Sequence, residues 1–315
     1  MAMTTTTQAS AAAGRTRPSR RLRRGWATPY LFILPFGVLF ILFFIVPILY
    51  AIDQSFYKTQ RSGLGLGAAT TAFNGLANYH DVFTDGAFYA SVGRVLLYGI
   101  VQVPVMLGLA LGLALLMDSA AIRFRNFFRL AFFVPYAVPG IIAALLWGFL
   151  YDPQLSPIVK GIRTIGFSNF DLLGGGTILW SIANIATWGW TGYNMLIIYA
   201  ALQAISPEIY EAARMDGCTG FGVARYIKIP LVAPALVLTS VFSIIGTLQL
   251  FNEPSVLRAI SNSISSSYTP NLYAYNVGFG DNNYYYAAAI AVVLALVTFV
   301  FSFGFLRITQ RQAGV

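Results

Sequence analysis

The chain has 315 residues, of which 57% are hydrophobic and only 10% are charged, and it carries a formal net charge of +9 with one cysteine and one histidine. Soluble domains have about a quarter charged residues, so this composition excludes a water-soluble globule, a disordered chain and a coiled coil and indicates a membrane protein. Disulfide frameworks and Cys/His zinc clusters are excluded as well, because each needs several such residues.

Residues 1–24 precede the first apolar run. They are rich in Thr, Ala and Ser, end in a cluster of arginines and lack apolar periodicity, so we expect a disordered basic tail. The apolar run that follows exceeds the roughly 7–15 residues of a signal-peptide core and has no A-x-A site at its end. We therefore interpret it as an uncleaved first membrane span.

Crossing a bilayer core about 30 Å thick takes about 20 apolar helical residues. Six stretches without charged residues contain such a block: 25–52, 95–117, 130–151, 172–207, 229–252 and 282–306. The uncharged stretches 62–80 and 259–280 are too polar to leave water. The sequence therefore predicts an all-α integral membrane domain of six transmembrane helices over residues 25–310. Prolines at positions 29, 35, 47, 104, 135 and 139 are expected to kink the first three spans, whether as moving or as static kinks.

The basic residues give the orientation. Six spans place both termini on one side, and 14 of the 20 Lys and Arg residues lie in the tail and loops of that side. The positive-inside rule puts this side in the cytoplasm, so we expect a multi-pass protein of the bacterial inner membrane with both termini cytoplasmic. The same loops account for most of the net charge, which removes the argument for a nucleic-acid partner.

Catalytic groups are scarce. A phosphate-binding P-loop needs Gly directly before its Lys, whereas Lys58, Lys160 and Lys228 follow a tyrosine, a valine and an isoleucine. His80 and Cys218 fall on opposite sides of the predicted membrane and cannot form a dyad. The sequence therefore predicts a protein that is not an enzyme and draws energy from elsewhere. The uncharged spans also weigh against a proton-coupled carrier.

A short helix is predicted between spans four and five, at residues 206–217. Ser206 can cap its first amides, Pro207 suits the first helical position, and Gly217 can adopt the left-handed conformation that ends a helix. A helix of about ten residues is marginal alone. Tyr210, Ala213 and Gly217 form a patch of mostly small residues, which favours a protein partner over lipid. The alternative is a capped connector without a partner.

This segment resembles the EAA signature of the membrane permeases of binding-protein-dependent ABC importers, EAA-x3-G-x9-I-x-L-P. The matching residues are Glu211, Ala212, Ala213, Gly217, Ile227 and Pro230. The segment departs at Cys218, Ala224 and Ile229, where Ala, Phe and Leu are usual. Residues 76–79, 129–135 and 286–289 also resemble elements of the sugar permeases of this family, whereas the loop 259–264 lacks their T-x-G-G-P sequence. The resemblance covers residues from about 26 to 307.

The resemblance implies that solute passage and ATP hydrolysis are carried out by different subunits. An EAA loop at about 206–230 would hold a coupling helix that docks into a separate ATPase. Two such ATPase subunits would bind ATP and magnesium, so this chain needs no cofactor of its own. A second homologous permease and an extracytoplasmic solute-binding protein would complete the importer. The residues assigned to ATPase coupling are Tyr210, Glu211, Ala212, Ala213, Met215, Asp216 and Gly217.

Polar and aromatic residues inside spans four and five are the candidates for solute contact. Sugars present hydroxyls and flat faces, and polar side chains are costly against lipid, so these residues are expected to turn inward. The predicted set is Trp190, Tyr193, Asn194, Ser243, Thr247, Gln249 and Asn252. Tyr193 and Ser243 fall where maltose-type permeases contact solute. The alternative is that the aromatic residues form an interfacial belt and the polar ones join helices.

The sequence thus predicts the permease subunit of an ABC importer for a sugar or short oligosaccharide, embedded in lipid and forming half of the path. A permease for another solute, such as glycerol phosphate, is the nearest alternative. An anionic solute would favour Arg or Lys in the path, and none lies inside the predicted spans. A stand-alone secondary transporter or channel is a second alternative, and an integral-membrane enzyme a third.

Overall fold

The computed structural model describes residues 27–61, 69–119, 122–167 and 169–313. The tail predicted for residues 1–24 lies outside these ranges. The chain divides into two units, Met1–Tyr50 and Ala51–Val315. The described part of the first unit is helical and exposes apolar side chains along its length, which suits a helix surrounded by lipid.

The helices and strands follow one another in chain order. They are α1 (Ala27–Phe40), α2 (Val46–Gln54), β1 (Tyr57–Arg61), β2 (Ala69–Phe73), α3 (Ala77–Thr84), α4 (Gly86–Asp118), α5 (Arg125–Ala137), α6 (Gly140–Tyr151), α7 (Pro157–Thr164), α8 (Ile178–Gln203), α9 (Pro207–Met215), α10 (Gly220–Val223), α11 (Ile229–Leu231), α12 (Ala233–Leu248), α13 (Asn252–Leu257), α14 (Pro270–Tyr275) and α15 (Tyr284–Ala313). Short π-helical segments occupy Ile41–Ile45, Ala224–Lys228 and Asn276–Gly280.

The long helices match the predicted spans. Among the described residues, four helical segments are long and apolar enough to cross a membrane: Pro29–Gln54, Gly86–Asp118, Ala233–Leu257 and Tyr284–Thr309. The pair α5 and α6 passes the same test as one bent unit. Helix α8 has the length of a span, with 26 residues, but carries more polar side chains. The all-α membrane architecture is confirmed and is consistent with six spans.

The structure departs from a simple bundle of straight helices in two places. Predicted span three is broken into α5 and α6, which meet at 95°. Pro139 explains the break, because proline lacks an amide donor and disfavours helical conformation in the residue before it; Val138 is accordingly extended. Pro104 leaves α4 continuous. An antiparallel hairpin of β1 and β2, with Tyr57 opposite Phe73, was not predicted.

Helix α8 lies at the centre of the second unit and packs against α4, α5, α6 and α12. Its contact with α5 is unusually close: a Cβ atom added at Gly192 would stand 1.7 Å from the carbonyl oxygen of Phe132. Only glycine permits this approach of two backbones. The buried apolar core continues on both sides of this contact, with Ile182 and Ile198 among its fully buried side chains.

A polar cluster joins the N-terminal ends of α4 and α15. The carboxylate of Asp85 caps α4 by accepting from the amide of Ala87 at 2.8 Å. It also accepts from the hydroxyls of Tyr273 at 2.5 Å and Tyr286 at 3.0 Å. Burial alone raises the pKa of Asp85, but these hydrogen bonds outweigh it and hold the pKa below the usual value.

Candidate functional site

All seven predicted solute-contacting residues line one cavity of about 180 Å³. Helix α8 contributes Trp190, Tyr193 and Asn194, and the segment from α12 to α13 contributes Ser243, Thr247, Gln249 and Asn252. The helices that carry them meet because α12 packs against both α4 and α8. The structure therefore brings the whole predicted set together, and its role in solute contact stays a prediction.

A second cavity of about 400 Å³ adjoins the first. One wall is the break between α5 and α6, at residues 135–140. The two cavities share Ala186, Trp190, Asn252 and Glu253 in their linings. The two cavities therefore adjoin at these four residues, and together they form the candidate path.

Three aromatic rings stand together at this junction. Tyr136 stacks on Tyr193, with ring centroids 4.6 Å apart and an interplanar angle of 20°. Trp190 meets the edge of both, at 5.1 Å from Tyr136 and 5.9 Å from Tyr193. Trp190 keeps 46% of its surface exposed. Exposed aromatic faces of this kind can stack on the apolar face of a sugar ring.

Two members of the predicted set also serve in helix packing. The amide of Asn194 donates to the carbonyl of Trp190 at 3.0 Å and faces the sulfur of Met106. The methyl carbon of Thr247 lies 2.8 Å from the point where a Cβ of Gly99 would stand, so α12 and α4 approach closely there. Both side chains are buried. The helix-joining alternative therefore applies to Asn194 and Thr247, whereas Trp190, Gln249 and Asn252 are exposed.

Four lining residues with polar side-chain groups were not among the predicted ones. They are Tyr98, Gln102, Tyr136 and Glu253. Gln102 could have been found by the criterion applied to spans four and five, because it is an uncharged polar side chain inside an apolar span. Its amide donates to the hydroxyl of Thr187 at 3.5 Å. Glu253 was not considered, because the predicted fifth span ended at Asn252, one residue before the Glu253 carboxylate. The structure corrects this, since the segment Ala233–Leu257 includes Glu253.

The predicted helix between spans four and five is α9, Pro207–Met215. Its end is as predicted: Gly217 has φ of +79°. The amide of Gly217 donates to the carbonyl of Arg214 at 3.0 Å and that of Cys218 to the carbonyl of Ala213 at 2.9 Å, which is a Schellman motif. The prediction that the Ser206 hydroxyl caps the helix is wrong, because Ser206 makes no side-chain capping bond.

The exposed face of α9 also differs from the prediction. Tyr210 is half-buried and Ala213 is buried against the rest of the chain, so two of the three residues in the patch expected to meet a partner face inward instead. The opposite face is exposed and consists of Glu208, Glu211, Ala212 and Met215. Asp216 and Gly217 are exposed beside it. A partner would therefore meet the Glu211 and Met215 stripe.

Tyr210 lies beside an ion pair formed by residues of other elements. Lys228 forms an ion pair with Asp118, the last residue of α4, and its ammonium lies 5.1 Å from the centre of the Tyr210 ring. Gln203, at the end of α8, donates to the other oxygen of Asp118 at 2.7 Å. Burial raises the pKa of Tyr210, and the charge of Asp118 raises it further. We name Asp118, Gln203, Tyr210 and Lys228 the anchor cluster.

Within the described ranges, no group of three or more His, Cys, Asp or Glu side chains is placed to hold a metal ion. The site consists of neutral hydrogen-bonding groups, aromatic rings and one carboxylate around the two cavities, together with α9 and its anchor cluster. Such an arrangement can bind and pass a polar solute. It offers no set of groups for covalent chemistry.

Known proteins resemble this chain over most of its length. A family model described as the binding-protein-dependent transport system inner membrane component matches residues 105–313. The arabinooligosaccharides transport system permease protein AraP of Bacillus subtilis (strain 168) is 30% identical over 94% of this chain and 96% of that protein. The lactose transport system permease protein LacF of Rhizobium radiobacter is 32% identical over 89% and 91%. The sn-glycerol-3-phosphate transport system permease protein UgpA of Agrobacterium fabrum is 30% identical over 87% and 94%.

Solved structures share the fold. A bacterial ABC transporter that imports the acidic polysaccharide alginate has a chain with a TM-score of 0.76 and 18% identity, covering 90% of this chain and 95% of that one. The same kind of transporter in complex with an alginate pentasaccharide-bound periplasmic protein gives a TM-score of 0.77, also at 18% identity. The family expected from the sequence is confirmed by the family model and the relatives. The chain belongs to the family of binding-protein-dependent transport system inner membrane components.

Proposed function

We propose that this chain is the permease subunit of an ATP-driven importer for a neutral sugar or short oligosaccharide, and that it forms half of the translocation path. The observation that carries the proposal is the cavity lined by Trp190, Tyr193, Ser243, Gln249 and Asn252. Neutral polyols bind through aromatic faces and uncharged hydrogen-bonding groups, and this cavity supplies both. The relatives named for arabinooligosaccharides and lactose support a sugar.

The proposed assembly contains a second homologous permease, two ATPase subunits that bind ATP and magnesium, and an extracytoplasmic solute-binding protein. In this proposal the chain lies in the bacterial inner membrane with both termini in the cytoplasm. Family membership supports the binding protein. The resemblance of the EAA segment supports the ATPases and the second permease, and the exposed face of the short helix α9 supports a docking partner.

The anchor cluster supplies a route for coupling. We assign the exposed stripe with Glu211 and Met215 to the ATPase, whose closure would displace α9. The ring of Tyr210 lies against Lys228, and Lys228 is paired with Asp118 at the end of α4. Helix α4 carries Tyr98 and Gln102 into the solute cavity. A displacement of α9 is thereby passed to a helix that lines the path.

A permease for an anionic solute is the second candidate, because UgpA is named for sn-glycerol-3-phosphate. Phosphate recognition normally uses Arg or Lys. Among the described residues that line the two cavities, none is Lys, Arg or His. The cavity linings therefore favour the neutral solute.

The test is purification of the tagged chain from its own cell in mild detergent, followed by mass spectrometry of the proteins that accompany it. Glu211→Lys reverses a charge on the exposed stripe of α9. Asp81→Lys makes the same charge change on α3, where the Asp81 side chain is 62% exposed, and serves as the matched control.

An ATPase and a second permease are expected with the wild type and with Asp81→Lys, and the ATPase is expected to be lost with Glu211→Lys. If the wild type purifies alone and moves solute into liposomes without ATP, the chain is a secondary transporter and the proposal fails.

A further inference from the structure

Glu253 occupies a special position in the candidate path. It is the acidic residue in the linings of both cavities, in the first turn of α13. One of its carboxylate oxygens lies 4.0 Å from the point where a Cβ of Gly140 would stand. Gly140 begins α6 directly after the break in predicted span three. The carboxylate therefore stands at the junction of the two cavities, beside Asn252.

The charge of Glu253 is not balanced within the path. Every other described residue in the two linings is uncharged. Among the described residues, no Lys, Arg or His side chain lies within ion-pair distance of Glu253. A cavity with low-dielectric walls focuses the field of such a charge on whatever enters it. The carboxylate also accepts hydrogen bonds, and those to a charged acceptor are the stronger ones.

We propose that Glu253 makes the path selective for charge. Its carboxylate accepts hydrogen bonds from the hydroxyls of a neutral sugar whose ring stacks on Trp190 and Tyr136, and it repels solutes that carry a phosphate or a carboxylate. This inference rests on the proposed transport function and assigns the exclusion of anionic solutes to one residue of the path. It separates this chain from the relative named for glycerol 3-phosphate and from the transporter of acidic alginate.

The experiment measures the charge preference of the cavity without knowledge of the natural solute. Asn252→Cys introduces a thiol that lines both cavities, in the full-length chain in lipid nanodiscs. Its rates of reaction are measured with three methanethiosulfonates: the neutral hydroxyethyl, the cationic trimethylammonioethyl and the anionic sulfonatoethyl reagent. The native Cys218 is exposed and lies on another loop, so its rates in the same sample are the internal control.

The expected result is that the cationic reagent reacts with the introduced thiol at least tenfold faster than the anionic one, relative to the same ratio at Cys218. Glu253→Gln, which keeps the size of the side chain, is expected to reduce this preference at least fivefold. Glu253→Asp, which keeps the charge, is expected to retain most of it. The ratio at Cys218 stays unchanged in every variant, and size-exclusion profiles confirm that each variant is folded.

Two results about charge would overturn the inference, and a third result about access would contradict it. One is a charge preference that is the same with Glu253 and with Glu253→Gln. The other is slowing of the labelling by millimolar glycerol 3-phosphate in the chain that retains Glu253. Failure of the neutral reagent to reach the thiol also contradicts it, because the cavity would then not be an open path. Labelling needs no ATPase, so its failure is distinct from a failure of the co-purification test.

Discussion

Lys228 and Asp118 form an ion pair between residues 110 positions apart in the chain. Asp118 ends α4, where the partial negative charge of the helix disfavours a carboxylate. Lys228 and Gln203 offset this unfavourable placement by donating to its two oxygens. The pair therefore joins the end of one lining helix to the segment that leads into α12.

The ion pair is expected to contribute to folding stability. Removing one partner leaves a largely buried charge without compensation, so Asp118→Ala or Lys228→Ala should each cost on the order of 3 kcal/mol. The double variant should cost less than the sum, because the second substitution removes that uncompensated charge. Unfolding temperatures of the purified chain in detergent measure this. Additive losses would show that the two side chains do not interact.

Gly217 is expected to matter for its backbone conformation. Its φ of +79° costs a residue with a Cβ about 1 kcal/mol, so Gly217→Ala should loosen the end of α9. The ATPase recovered by co-purification should fall, while the yield of folded chain stays near normal. Gly220→Ala is the control, since Gly220 has no positive φ and no atom within 4 Å of an added Cβ. Equal ATPase recovery from both variants would contradict this role of the left-handed backbone conformation at Gly217.

Gly192 is expected to be essential for folding. A Cβ there would overlap the backbone of Phe132, and no rotamer relieves an overlap of backbone with Cβ, so Gly192→Ala should abolish the monodisperse peak in size exclusion. Gly189, one turn earlier in α8, has nothing within 4 Å of an added Cβ. Gly189→Ala should fold normally or be up to about 1 kcal/mol more stable. A normal profile for Gly192→Ala would mean that α5 and α8 are further apart.

The cluster around Asp85 predicts a dependence of stability on pH. The folded pKa of Asp85 lies below its usual 3.8, so its stabilisation is present above that pH and is lost as pH falls through the folded value. Burial, with the hydrogen bond to Asp85 and its charge, raises the pKa of Tyr273 from 10.0 to about 12. That stabilisation is complete below pH 10 and is lost as pH approaches 12.

Unfolding temperatures measured across the pH range test both the loss of stability in acid and the loss in alkali. Asp85→Asn should lower the unfolding temperature near neutrality and flatten the decline in acid. Asp81→Asn, on the exposed surface of α3, should leave the profile of the wild type unchanged. If the unfolding temperature falls identically in acid in all three proteins, Asp85 is not the origin of that fall.

Features that depend on residues close together in the chain could be predicted from the sequence. The bounds and the left-handed end of α9 follow from Pro207 and Gly217, and the inward set on α8 and α12 follows from the cost of polar groups in lipid. The buried face of α9 could not be predicted, because the Tyr210 ring lies against Lys228, and Lys228 is paired with Asp118, 110 positions away in the chain. Tyr136 was missed for a similar reason, because the 95° bend that brings the α5–α6 junction to the cavity is a tertiary feature. Glu253 was missed because the predicted fifth span ended one residue before it.

The close approach of Gly192 to Phe132 also limits how the molecule can move. Where two backbones touch, there are no side-chain rotamers that can readjust, so α5 and α8 translate and rotate as one rigid body. Sliding between them would open a void or force an overlap. A change of access has to occur along a seam where side chains meet, and the seam that contains Trp190 and Ser243 lies between α8 and α12. A glycine that lies outside both cavities therefore restricts which helices can separate when access changes.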